Sequence, residues 1–313
     1  MSPLILDDAL HNGCPASQKP SNPTMENNVQ NVVLGDLLIQ PWYTSFYPEE
    51  LVGRQVDRLF VCQWCFKYSK ELMPFLGHVK SCSHKDAAPP GALIYAKDDY
   101  TIHEVDGEEH KLYSQNLSLF AKLFLDTKSV FYDTSTFLYY LLSTTDPTSG
   151  TRQVVGFFSK EKMSWDNNNL ACILVFPPWQ RQGLGRLLMG VSYELSRREG
   201  RLGGPEKPLS ELGRRGYLSF WSGIVARYFI AHPAKKSVTV REISDATCVL
   251  PEDIIATLKE MDVLEHRGKG GGHAVINKAR VKAWAAMHKA SLVPPVDVDA
   301  FVEEAYEDGV EDE

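Results

Sequence analysis

The sequence predicts an α+β fold in three parts, and three observations carry that prediction. Three cysteines and a histidine fall at the intervals Cys62-x2-Cys65, Cys65-x12-His78 and His78-x3-Cys82, a spacing that suits one tetrahedral Zn²⁺. About a hundred residues on, the apolar run Cys172-Ile-Leu-Val-Phe176 meets Pro177-Pro178, then a turn holding Gly183 and Gly185, then a stretch with helical spacing. A strand feeding such a turn and a helix start places backbone N–H groups where they can cradle phosphate. From Val238 the pattern becomes helix, turn, helix and a strand pair around Gly268-Lys-Gly-Gly-Gly272, which reads as a winged helix-turn-helix.

Composition narrows the function classes. The 313 residues are 43% hydrophobic and 23% charged, which is the balance of a chain that buries one large core or two smaller ones. No stretch approaches the roughly 20 apolar residues of a membrane span, and Met1 to Asn12 lacks a secretory pattern. Six cysteines are too few for a disulfide scaffold at this length, and three of them belong to the metal pattern. The net charge of -7 is matched by seven acidic residues among the last eleven, from Glu303 to Glu313, so the rest of the chain balances at 33 acidic and 33 basic residues. The acidity therefore predicts a solvated tail over residues 291–313 rather than a basic partner.

Taken in order, residues 1–31 are polar and aperiodic and predict a disordered leader. Order is expected from Val32, with a strand and turn over Val33 to Ile39, an aromatic plug from Trp42 to Pro48, and a strand from Leu59 into the metal module. The module's helix should run from Glu71 to Ser81. Short strands follow at Ala92 to Tyr95, Tyr100 to Val105 and His110 to Tyr113, the last two joined by an Asp106-Gly107 hairpin signal. Asn116 to Phe124 has a broad apolar face and reads as a helix. Further strands are expected over Val130 to Tyr132, Phe137 to Leu142, Gln153 to Ser159 and Leu170 to Phe176, with a loop at Trp165 to Asn169. The next helix spans Gly183 to Glu199 through Leu187, Leu188, Val191, Tyr193 and Leu195. These elements divide the chain into a zinc module over 32–90, a central core over 91–230 and a winged-helix segment over 231–290.

The metal set reads as Cys62, Cys65, His78 and Cys82, with His84 a neighbouring solvent residue rather than the fourth ligand. A lone finger whose helix reads Glu-Leu-Met-Pro-Phe-Leu-Gly has few groups able to reach base edges, so it is expected to be structural. Pro251 to Met261 offers Lys259 as its only basic residue, which argues against sequence-specific DNA binding. The turn Gln180-Arg181-Gln182-Gly183-Leu184-Gly185, followed by Arg186, completes neither a dinucleotide fingerprint nor a P-loop. Its context of strand, Pro-Pro stop, two glycines, two arginines and helix still suits a pyrophosphate, in the manner of coenzyme A sites.

With those residues in view, the chain resembles the MYST lysine acetyltransferases from about Asn31 to Lys289. The resemblance is carried by Trp42-Tyr-x-Ser-x-Tyr-Pro-Glu-Glu50, the Cys-Cys-His-Cys finger, Glu104-Val-Asp-Gly, His110-Lys-Leu-Tyr-Ser-Gln-Asn116, Val155-Gly-x-Phe-Ser-Lys-Glu-Lys162, Ala171-Cys-Ile-Leu, Gln180-x-x-Gly-x-Gly, Ser192-Tyr-Glu-Leu-Ser and Pro205-Glu-Lys-Pro-Leu-Ser-Glu-Leu-Gly213. It implies an acetyltransferase core of the GNAT-like kind, flanked by the C2HC finger and the winged segment. The implied reaction moves acetyl from acetyl-CoA to a lysine, with one structural Zn²⁺ per chain.

By position the resemblance makes Glu206 the general base and Cys172 the active-site cysteine. It gives Ile173, Leu174 and Val175 the pantetheine arm, Ser210 and Ser219 further cofactor contacts, and Lys128 the autoacetylated lysine. A lysine ammonium with pKa near 10.4 must lose a proton before it attacks a thioester, which is the work of such a base. The sequence departs from the family at Gln182, where a second basic residue is common, at Leu184 in place of tyrosine, and at Gly204 in place of serine. Without room for a chromo-barrel or PHD finger, the chain is most similar to the compact fungal silencing-linked (SAS-type) branch. The partners this implies are histone tails in nucleosomes, with the N-terminal tail of histone H4 as target, and accessory subunits of a chromatin complex in the nucleus.

Overall fold

The computed structural model describes residues 27–146, 148, 150–234, 238–266 and 274–302. The first 26 residues, residues 267–273 where a wing tip is expected, and residues 303–313 lie outside that set. Packed chain begins at Val29, three residues before the expected Val32, because Val29 is already buried against the first sheet.

The N-terminal sheet comprises β1 (Val29–Leu34), β2 (Leu37–Ile39), β3 (Val56–Val61) and β4 (Tyr68–Ser69), in the order β2-β1-β3-β4. Helix α1 (Glu49–Val52) lies between β2 and β3, and α2 (Leu72–Ser81) follows β4. Of the expected aromatic plug only Tyr47 is buried. Trp42 and Phe46 stay 40% and 54% exposed, each resting one ring face on Phe124 or Phe131.

The central sheet has five strands in the order β10-β8-β7-β6-β5, and every pairing is antiparallel. They are β5 (Ala92–Lys97), β6 (Tyr100–Asp106), β7 (Phe137–Thr145), β8 (Arg152–Glu161) and β10 (Cys172–Val175), with β9 (Asn168–Leu170) preceding β10. β7 and β8 are buried on both faces, which their near-continuous apolar runs dictate, and Tyr140 stacks on Phe158 at 4.4 Å.

Helix α3 (Lys111–Lys122) replaces the expected strand at His110 to Tyr113. Asp106 does not turn a hairpin: its carboxylate accepts from Glu108 N at 2.7 Å, and its carbonyl accepts from His110 N, so the chain enters a helix directly. Gly107 is there for close approach, since an added Cβ would lie 2.0 Å from the Thr134 carbonyl oxygen. The real hairpin joins β5 to β6 through Asp98-Asp99. Val130 to Tyr132 forms no strand, and the expected Leu170 to Phe176 strand is two strands. It splits because β9 turns to pair with β11 (Gly204–Pro205) while β10 pairs with β8.

Helix α4 (Leu184–Arg198) lies on the sheet through Leu184, Leu188, Val191 and Leu195, a stripe at helical spacing. Its other side meets α5 (Glu211–Ala231) through Met189 and Tyr193, whose hydroxyl accepts from Trp221 Nε1 at 2.8 Å. On α5 pack α6 (Val240–Thr247), α7 (Pro251–Glu260) and α8 (Lys278–Met287), with the antiparallel pair β12 (Leu264–His266) and β13 (Ala274–Ile276) beside them.

Packing continues to Val302, past the residue 290 boundary that the acidic tail suggested. Phe301 bridges to Tyr95 on β5 and lies 4.4 Å from the Arg198 guanidinium, and Val296 fills the space above Gly190. The segment is held because its apolar residues Val296 and Phe301 are buried; the acidic run starts only after them.

Candidate active site and metal centre

The metal centre is local. Cys62 follows β3, Cys65 sits on the turn closed by Phe66 N donating to Cys62 O, His78 is on α2, and Cys82 caps that helix. Their four ligand atoms lie within 4.8 Å of one another, with Cys62 Sγ 3.9 Å from Cys82 Sγ and Cys65 Sγ 3.2 Å from His78 Nε2. Bonds of about 2.3 Å to sulfur and about 2.0 Å to nitrogen place tetrahedral ligands about 3.5–3.8 Å apart, so the four groups fit Zn²⁺. Phe75 and the half-buried Phe60, Trp64 and Val79 pack around them, and Cys65 also touches the main core. Such a small cluster cannot hold a helix and a knuckle by itself. His84 is outside the set, as expected, but it is half-buried rather than solvated, with its ring 5.6 Å from Tyr113.

A second centre forms at one edge of the central sheet. β10 is the outer strand, so one side of its backbone has no strand partner and is open to an extended amide-bearing ligand. Leu174 turns its side chain into the core, leaving Ile173 and Val175 half-buried. The Val175 carbonyl accepts from Gln180 Nε2 at 2.8 Å, which ties the strand end to the turn that follows. That turn runs through Arg181, at φ 65°, to Gly183, the α4 N-cap at φ 86°. Left-handed backbone at Gly183 is where glycine is needed. At Gly185 it is not, since an added Cβ would meet only Val175 Cγ2 at 4.0 Å.

Gln182, Gly183, Leu184 and Arg186 line a cavity of about 740 Å³ between the start of α4, the α5 face and the end of α8. Leu184 contributes backbone, as its side chain is buried in the core. Ser219 joins the wall and accepts from Arg186 Nη2 at 3.0 Å, whereas Ser210 is engaged as the α5 N-cap, accepting from Gly213 N.

Arg214, Arg215 and Arg227, together with Trp284 and His288, line the same cavity. Sequence reasoning missed all five. The pair Arg214-Arg215 one turn into a capped helix was the available signal for two of them. Arg214 and Arg215 are paired with Glu211, while Arg186 and Arg227 face one another with no carboxylate partner among the described residues. Burial and the neighbouring Arg186 hold the Arg227 pKa below its ordinary value. Two arginines without an ion-pair partner among the described residues, beside a helix N-terminus, suit an anion, although Glu260 also lines this cavity.

Below the strand's other end lies a smaller cavity of about 370 Å³ whose walls include Lys128, Tyr139, Glu161, Cys172, Glu206 and Lys207. Glu206 arrives there because β11 runs parallel to β9 and Glu206 N donates to Leu170 O at 2.8 Å. On its far side the loop is fixed to α7: Lys207 Nζ lies 2.7 Å from Asp253 Oδ1, a carboxylate 5% exposed. The Lys207–Pro208 peptide is cis. Burial raises the Glu206 pKa and the charge of Glu161 adds to it, making it a more basic carboxylate than usual. Lys128 is buried and pushed down by desolvation, with Cys172 pulling the other way. The structure thus brings Glu206, Cys172 and Lys128 together around one cavity and sets the phosphate-type turn at the other end of the same strand.

Comparison with known proteins identifies the family. The MOZ/SAS family matches residues 88–300, and the MYST family zinc finger domain matches residues 27–82. The chain is 42% identical over 280 residues to a protein named "Histone acetyltransferase Tip60 homolog" from Caenorhabditis elegans, covering 87% of this chain and 59% of that one. It is 42% identical over 238 residues to "Histone acetyltransferase MOF" of Drosophila melanogaster, covering 76% and 28%. It is 39% identical over 258 residues to "Putative MYST-like histone acetyltransferase 1" of Oryza sativa subsp. japonica, covering 82% and 55%. The chain therefore spans little more than half the length of these relatives, or less. Its two matched regions together take in both centres, and the chain belongs to the MOZ/SAS family, with a MYST-type zinc finger at its N-terminal side.

Proposed function

We propose that this protein is a histone lysine acetyltransferase that uses acetyl-CoA, and that its target is a lysine in the N-terminal tail of histone H4. The observation that carries the reading is the sharing of one short edge strand by two chemistries: an anion-binding turn at its C-terminal end, and Cys172 with Glu206 at its start. In this reading the pyrophosphate of acetyl-CoA lies on the backbone of Gln180 to Gly185 beside Arg181 and Arg186. The pantetheine arm pairs with the free edge of Ile173 to Val175.

The acceptor lysine enters the smaller cavity, and Glu206 removes its proton as the nitrogen attacks the thioester carbonyl. Transfer is direct, within a ternary complex, and Cys172 lines the site. Lys128 is the autoacetylated residue. Ser219, with Arg214 and Arg227, contacts the cofactor, while Ser210 acts through the α5 cap. The zinc is structural.

The C-terminal elements form a winged helix-turn-helix that supports the Glu206 loop through Asp253, and the divisions 32–90, 91–230 and 231–290 are its working parts. The protein acts in the nucleus on nucleosomes with accessory subunits, and it is a member of the SAS-type branch. The test is to incubate zinc-loaded protein with acetyl-CoA and core histones or nucleosomes and to locate acetyl-lysine by mass spectrometry. Acetylation of the H4 tail is expected. No acetylated lysine on any histone, from protein that is folded and binds acetyl-CoA, would overturn the reading.

A further inference from the structure

A second carboxylate lines the acceptor cavity without an ion-pair partner among the described residues. Glu161 ends β8, is half-buried, and lines the same cavity of about 370 Å³ as Cys172 and Glu206. It is placed there by register: β8 pairs with β10 so that Ser159 is opposite Cys172, and Glu161 lies two residues beyond, on the same face as Ser159. Among the described residues it makes no ion pair, whereas its neighbour Lys162 is bound to Asp106 and Glu108 and faces away.

The other charged or titratable groups of the cavity are accounted for. Lys207 reaches out to Asp253 at 2.7 Å, Tyr139 shares a hydrogen bond with Ser118, Cys172 lies on β10, and Lys128 is buried. Two carboxylates therefore line one cavity whose own cations are either engaged elsewhere or desolvated. A pair of like charges in such a place is costly unless a cation joins it.

We infer that Glu161 is the ammonium-binding residue of the acceptor site: it receives the incoming lysine as its cation in the cavity it shares with Glu206. This inference rests on the acetyltransfer reading of the same cavity. It commits the substrate to a cationic acceptor and separates two roles that one glutamate cannot fill at once, holding the ammonium and accepting its proton. Glu161 gives the first contact, and Glu206 the proton transfer. Electrostatically the two act in sequence, because the positive charge that Glu161 attracts disappears when Glu206 is protonated.

The experiment is a steady-state assay of the full chain with acetyl-CoA and a histone H4 tail peptide, from pH 6 to 9, comparing the parent with Glu161→Gln, Glu161→Asp, Glu206→Gln and Glu108→Gln. Glu161→Gln should raise KM for the peptide about tenfold, leave KM for acetyl-CoA unchanged, and move the acid limb of kcat/KM to lower pH by about half a unit or more, because loss of a neighbouring negative charge lowers the Glu206 pKa. Glu161→Asp keeps the charge and should keep the limb in place. Glu108→Gln lies outside the cavity and should behave as the parent. A folded Glu161→Gln with unchanged peptide KM and an unmoved acid limb overturns the inference. An inactive parent overturns the acetyltransfer reading instead, and a fully active Glu206→Gln overturns the assignment of proton transfer to Glu206. Should Glu161→Gln lose acetyl-CoA affinity or its melting transition, Glu161→Asp decides: a shifted limb in that variant counts against the inference.

Discussion

Replacing Lys207 by methionine tests how the Glu206 loop is held. Lys207→Met keeps the aliphatic length of the side chain but leaves Asp253, 5% exposed, without the ammonium 2.7 Å away. Breaking a buried pair by removing one partner costs about 3–5 kcal/mol, but Lys207 is 45% exposed, so solvent screens part of the interaction and about 1–3 kcal/mol is expected.

The cost depends on pH in a determined direction. Burial already raises the Asp253 pKa while Lys207 draws it back, and Asp253 Oδ2 has no hydrogen-bond partner. An acid whose folded pKa exceeds its unfolded value binds its proton more tightly when folded, so its contribution favours the fold at low pH and is lost as pH rises through that window. Removing Lys207 widens the window upward. Melting followed by circular dichroism should therefore show Lys207→Met several degrees below the parent at pH 7.5, at about 2–4 °C per kcal/mol, with the gap narrowing at pH 5. In Lys207→Met with Asp253→Asn the buried charge is gone, and most of the pH 7.5 loss should return. A single variant that melts with the parent at both pH values would refute the reasoning.

Other perturbations separate fold from site. Gly185→Ala should leave the melting temperature unchanged or slightly raised, since a helix gains from alanine and the new methyl meets nothing closer than 4.0 Å, yet acetyl-CoA affinity measured by calorimetry should fall. Gly183→Ala should do the opposite first: at φ 86° it costs about 1 kcal/mol of stability, read as a lower urea midpoint. Cys65→Ser should remove about one Zn²⁺ per chain by metal analysis and melt the finger, because the apolar cluster around the ligands is too small to replace the metal. Phe301→Ala, which removes a ring 6% exposed and its contacts to Tyr95 and Arg198, should cost about 3 kcal/mol in urea unfolding and show that residues past 290 are part of the folded unit.

What the sequence made legible was local. The four metal ligands span only 21 residues, one on a helix and one at that helix's C-cap, so spacing alone put them within ligand distance. The turn from Gln180 to Gly185 and the helices α2, α4 and α7 were likewise readable from short-range chemistry: Pro-Pro after a strand, glycine at a cap, proline at a helix start.

Strand-and-turn chemistry misled at Asp106-Gly107, where the same dipeptide that favours a hairpin also starts a helix through an Asp side-chain bond, and the deciding contact was with Thr134, far along the chain. Glu161, Arg227 and Trp284 could not be found by spacing. Glu161 meets Glu206 only because β10 lies beside β8 and β11 beside β9, a closure over 45 residues that no periodicity records. Arg227 reaches the cavity beside the start of α4 because α5 packs against α4.

In the proposed reaction Glu206 deprotonates a lysine for attack on acetyl-CoA. Single-turnover transfer from saturating acetyl-CoA to the H4 tail peptide at pH 7.5 tests it most directly, comparing the parent with Glu206→Gln. The expected loss is about a hundredfold or more in the transfer rate, with acetyl-CoA affinity intact, and with partial recovery at high pH, where the lysine deprotonates in solution. A folded Glu206→Gln that transfers at the parent's rate at pH 7.5 would contradict it.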